Sequence, residues 1–122
     1  MLAIATILLL LMGVAHSYLG ERYILIRLSK RDNLPKVLGS AAFTIGTLRF
    51  VWHLITVAWG ALAFLIFSAG NGAISRDEVL AVIGIAALVS AAFPLFFTRG
   101  KHLSWVVFLL VGVLVLASRG NA

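Results

Sequence analysis

Four apolar runs occupy most of this 122-residue chain, and the first, from Met1 to Gly20, contains no formally charged side chain. An α-helix needs about 20 apolar residues to cross the hydrocarbon of a bilayer, so a chain of this length has room for four crossings and no separate soluble domain. Hydrophobic residues make up 62% of the sequence and charged residues 11%, which is more apolar surface than a soluble domain of this size can bury. Lipid is therefore the expected solvent. The expected fold is all-α, an integral membrane four-helix bundle forming a single transmembrane domain over residues 1–122, with helices at about 2–20, 41–69, 79–97 and 103–117.

Charge then sets the expected orientation. The ten Lys and Arg residues and four Asp and Glu residues give a formal charge of +6. The basic residues sit at the edges of apolar runs and do not interleave with aromatics on a polar face, so nucleic acid is not an expected partner. Arg22, Arg27, Lys30, Arg31 and Lys36 fall in a connection at 21–40, Arg99 and Lys101 fall in a second at 98–102, and Arg49 lies at the inner end of the second run. Arg76 and Arg119 lie on the other side. This bias predicts cytoplasmic basic loops and both termini outside, in a bacterial-type inner membrane. A cleaved signal peptide is the competing reading of the first run, but its positive charges follow the apolar stretch instead of preceding it. There are no cysteines, which excludes disulfides, thiolate metal sites and cysteine nucleophiles.

Local signals refine the helices. Pro35 and Gly39 break the first connection, although ERYILIRLSKR before them is partly amphipathic and can continue helix 1 out of the bilayer or lie in the interface. Ser75 stands three residues before Glu78, a capping pattern for the third helix. In that helix Ala81, Gly84, Ala87 and Ala91 form a face of small residues suited to close packing. Pro94 among Phe93, Phe96 and Phe97 predicts a bend or an end.

The polar residues inside the runs are the candidate site. A rise of 1.5 Å per residue places His16, His53 and His102 each about 21–23 Å below the outer surface, and Glu21 and Arg49 together at about 28 Å. Arg49, His53, Thr56 and Gly60 share one face of the second helix, as do His16 and Gly20, and Ser17 and Glu21, in the first. Polar faces in lipid must look toward protein or water, so helices 1 and 2 are expected to face each other. Helices 3 and 4 read as scaffold or an oligomer surface.

Each residue has a plain and a functional reading. Glu21 and Arg49 form either an ion pair that locks two helices or a site where Arg49 holds an anion such as a lipid phosphate, a haem propionate or a phosphorylated substrate. Trp52, Trp59 and Trp105 read as packing and interface anchors. His16 and His53, with Arg49, are the candidate cofactor-binding residues, against a plain role in interhelical hydrogen bonds. Two facing histidines with Gly13 and Gly60 beside them, and Arg22 near Arg49, resemble b-type membrane cytochromes, which implies a haem b. A divalent metal held by His16, His53 and His102, and a histidine relay for protons or ions, are the other readings.

Small four-helix exporters share the size and helix count, but no acidic residue lies at mid-membrane here to couple protons to export. Hydrolase, metalloprotease and nucleotide-binding motifs are absent, and an enzyme is not the favoured reading. The favoured function is a small polytopic membrane protein that binds a cofactor, a metal ion or an anionic ligand at a polar His/Arg site near the cytoplasmic leaflet. A non-catalytic accessory subunit and a small transporter or channel are the alternatives. The bilayer, and further copies of the chain or a membrane protein partner, are the expected neighbours.

Overall fold

The computed structural model describes residues 1–121, and every regular element among them is helical. Helix α1 (Leu2–Leu19) runs without a break through a π-helical turn (Gly20–Leu25) into a short α2 (Ile26–Ser29). The remaining helices are α3 (Ala41–Asn71), α4 (Arg76–Phe97) and α5 (Ser104–Ala117), with a 3₁₀ turn at Val37–Gly39 before α3.

The helix boundaries follow from local chemistry. No residue between Gly20 and Ser29 forbids helix, and helix 1 continues through the first part of the connection, one of the two readings of ERYILIRLSKR; the chain leaves helical geometry only after Ser29. Ser40 caps α3 through a 3.3 Å hydrogen bond from the Phe43 amide to its Oγ. Ser75 and Glu78 form a reciprocal capping box, with Glu78 N donating to Ser75 Oγ (3.2 Å) and Ser75 N donating to Glu78 Oε2 (2.8 Å). This starts α4 at Arg76, three residues before the apolar run itself. Pro94 neither ends nor breaks α4, which continues to Phe97 with Pro94 buried. Thr98 closes that end. Its hydroxyl donates to Pro94 O (2.6 Å) and accepts from the His102 amide (3.0 Å), shaping the turn into α5.

The long helices pack antiparallel in chain order, α1 on α3, α3 on α4 and α4 on α5. Among the described residues no comparable contact closes α1 onto α5, so the four form an open row and not a closed ring. The α4–α5 contact is close because two glycines face each other's helix. A β-carbon on Gly84 would overlap Leu116, and one on Gly112 would overlap Leu88. Gly84 belongs to the small-residue face of the sequence; Gly112 supplies its counterpart.

Three helical segments, Leu2–Ser29, Ala41–Asn71 and Arg76–Phe97, are long and apolar enough to cross a membrane. α5 is apolar but has 14 residues, about 21 Å at 1.5 Å per residue. Large hydrophobic side chains such as Leu8, Leu11, Phe64, Leu110 and Leu114 are exposed around the whole row. Such a surface is compatible with a membrane protein, in which lipid takes the place of a buried core.

Candidate functional site

The polar faces of α1 and α3 meet along one seam. His16 lies flat on Trp52, with ring centroids 4.6 Å apart and planes 4° from parallel, and the edge of Trp59 closes on it at 5.2 Å. Its Nε2 stands 3.2 Å from the Trp52 carbonyl oxygen, so this nitrogen is the donor, while Trp52 Nε1 donates back to His16 O at 3.0 Å. Both tryptophans of α3 thus serve as packing for His16. The reciprocal bonds fix the register of the two helices.

Beside it, a chain of side chains links the helices and runs toward the basic loops. Ser17 Oγ lies 2.7 Å from Thr56 Oγ1 and 2.8 Å from His53 Nδ1, and His53 Nε2 faces Glu21 Oε2 at 3.4 Å. Each hydroxyl has one proton. With Nε2 protonated toward the carboxylate, Ser17 donates to Nδ1 and Thr56 donates to Ser17, leaving the 3.3 Å approach of Thr56 to Gly13 O as the alternative direction. Glu21 Oε1 then pairs with Arg49 Nη2 at 2.7 Å. His53 is the most enclosed of the three, packed against Phe93 and Phe97 of α4 with centroids 6.1 and 5.9 Å away.

The ion pair leaves two atoms unsatisfied. Glu21 Oε2 and Arg49 Nε are buried without a hydrogen bond of ordinary geometry, the 3.4 Å approach of His53 being a charge contact only. Such groups are uncommon in folded proteins. Arg49 also borders an open groove of about 880 Å³ between α3 and α4, lined by Ala92, Leu95, Phe96, Phe97 and Arg99. Arg99 is the site residue that sequence reasoning missed. It was read only as a topology signal, although its position directly after Phe96-Phe97-Thr98 puts it at the mouth of the same groove.

His102 does not join the other histidines. It sits in the turn before α5, with Nδ1 2.8 Å from Ser104 Oγ and its ring against Phe43 and Phe50. Counting depth along straight helices puts the start of α5 level with the seam, whereas the turn packs against Phe43 and Phe50, nearer the start of α3. Among the described residues no group of three or more His, Asp or Glu side chains is placed to hold a metal ion, so the three-imidazole centre expected from depth does not form.

A haem does not fit this arrangement either. His53 engages Ser17 and Glu21 through its two nitrogens, and His16 Nε2 engages backbone. The space at Gly13 is filled by the Thr56 methyl, 3.3 Å from where a β-carbon would stand, and only Gly60 is open. Iron ligation by His53 would require it to give up one of these contacts, and by His16 through Nε2 likewise.

The chain matches no protein-family model, no curated protein and no solved structure.

Proposed function

We propose that this is a four-span protein of a bacterial-type inner membrane, with termini outside, that binds an anionic ligand at Arg49 beside the cytoplasmic face. The observation that carries the reading is the partial satisfaction of Arg49. One guanidinium nitrogen meets Glu21, Nε has no partner, and the side chain borders a groove whose other cation is Arg99. A guanidinium so placed binds carboxylate or phosphate oxygens with charge-assisted hydrogen bonds.

Two features support the membrane setting. The 31 residues of α3 extend about 46 Å, well beyond a hydrocarbon core of about 30 Å. Its first turns therefore project, and Arg49 comes to the boundary where an anion and an apolar wall are both available. The short α5 crosses with local thinning of the bilayer and anchoring by Trp105 at one end and Arg119 at the other. The open edges of the row at α1 and α5 favour self-association or a membrane partner.

The test is thermal unfolding of the purified protein in a neutral detergent with inorganic pyrophosphate or butyl phosphate as probe. A saturable rise in Tm that Arg49→Gln removes and Arg119→Gln keeps is expected. No rise with either probe, or an equal rise in Arg49→Gln, would overturn the reading.

The second reading is a proton relay, favoured by the hydrogen-bonded series Thr56, Ser17, His53, which ends on the 3.4 Å charge contact of His53 with Glu21. It requires proton flux in liposomes that His53→Ala abolishes; proton-tight vesicles would dismiss it.

A further inference from the structure

We infer that the ligand is an anionic phospholipid, its phosphate between Arg49 and Arg99 and one acyl chain laid along the groove between α3 and α4. The inference rests on the reading of Arg49 as an anion-binding group and adds the rest of the molecule. Two hollows lie on the α3–α4 seam. The one at the basic end holds Arg49 and Arg99 above Ala92, Leu95 and Phe96. The other, about 300 Å³, is lined by Val57, Ala61 and Phe64 of α3 and by Val82, Ala86 and Val89 of α4, almost without polar surface.

The two hollows line up along α4. On α4 the lining residues Val82, Ile85, Val89, Ala92 and Phe96 recur every three or four positions, so both hollows open on the same face of that helix. On α3 the lining runs from Arg49 to Phe64, a rise of about 22 Å, with His53 between the two parts and covered by Phe93 and Phe97. A cationic mouth above a long apolar trough has the polarity of an amphiphile with an anionic head.

The charge balance selects the head group. Glu21 matches Arg49, whereas Arg99 takes part in no salt bridge among the described residues, so the mouth keeps one uncompensated positive charge. A phosphodiester with no other charge satisfies it. A zwitterionic head brings its own cation against Arg99 and gains less. Helix-flanking arginines beside a bilayer are also where anionic lipid is most concentrated.

The experiment is native mass spectrometry of the purified protein in neutral detergent, titrated with dioleoyl phosphatidylglycerol or dioleoyl phosphatidylcholine. Saturable phosphatidylglycerol adducts are expected at concentrations where phosphatidylcholine gives none, weakened about tenfold in Arg99→Gln, the loss of one charge-assisted contact. Ala86→Trp fills the apolar hollow and is expected to weaken the phosphatidylglycerol adduct while leaving the butyl phosphate response intact. The wild-type comparison of the two lipids stands whether or not that variant folds. Equal binding of the two lipids, or unchanged phosphatidylglycerol binding in Arg99→Gln, would overturn the inference. A butyl phosphate response lost in Arg49→Gln, without lipid preference, would overturn the lipid and leave the anion site standing; no response to phosphate or lipid would overturn both.

Discussion

The indole of Trp52 occupies the volume that a β-carbon on Gly20 would need, at the residue where α1 passes into its π-helical turn. Together with the stack of His16 on the same indole, this sets how closely α1 and α3 approach. Glu21 follows directly, so its carboxylate reaches Arg49 only if this contact holds.

Gly20→Ala is therefore expected to destabilise the protein by about 1–3 kcal/mol, the usual cost of overpacking a close contact. Gly60, whose added β-carbon meets nothing within 4 Å, is the control, and Gly60→Ala is expected to show no loss. Thermal unfolding in detergent compares them; equal melting of the two variants would mean that the Trp52–Gly20 contact does not set the seam.

Glu21 and Arg49 are about a third exposed, so each single removal acts less through the pair's attraction than through the partner left behind. Glu21→Gln and Arg49→Gln are expected to cost more separately than additivity allows in the double variant, with a coupling of roughly 0.5–3 kcal/mol. A double-mutant cycle on unfolding free energies measures it. Strict additivity would reduce the ion pair to a bystander.

Thr98 is buried and its single hydroxyl both donates to Pro94 O and accepts from His102 N. Thr98→Val keeps the shape but leaves the part-buried His102 amide without its partner and Pro94 O with only the Thr98 amide, at an expected cost of about 1–3 kcal/mol. Thr98→Ser restores the hydroxyl and is expected to recover most of it. Serine melting as low as valine would show that the hydroxyl alone does not hold this turn.

With both nitrogens of His53 and Nε2 of His16 engaged by protein groups, protein purified from haem-replete cells is expected to be colourless. An absorption spectrum decides this. A Soret band that disappears in His53→Ala would show that the seam opens to admit a macrocycle.

The sequence carried much of this arrangement and missed definite parts of it. Hydrophobic runs and the Ser75–Glu78 cap were legible because they are local, and the α1–α3 seam was legible because polar residues in lipid have few places to face. The continuation of helix through Glu21–Ser29 was one of two open readings, since nothing local separates an emerging helix from an interfacial one. His102 was misplaced because depth counting assumes straight helices that reach the surface, whereas the turn after Thr98 packs nearer the start of α3. The open row and the pairing of Gly84 with Gly112 depend on which helices become neighbours, which spacing within one helix does not encode. Arg99 was visible only as a charge, because its groove is made by two helices together.

The account depends most on the four helices crossing the bilayer so that Arg49 and Arg99 share one face. The chain has no cysteine, so single-cysteine variants report cleanly. In intact cells, Asn71→Cys and Asn121→Cys are expected to react with a membrane-impermeant maleimide, and Lys36→Cys and Lys101→Cys only after permeabilisation. Labelling of Asn121→Cys on the same side as Lys101→Cys would show that α5 does not cross, and labelling of Lys36→Cys from outside would place the arginines on the opposite face from the one proposed.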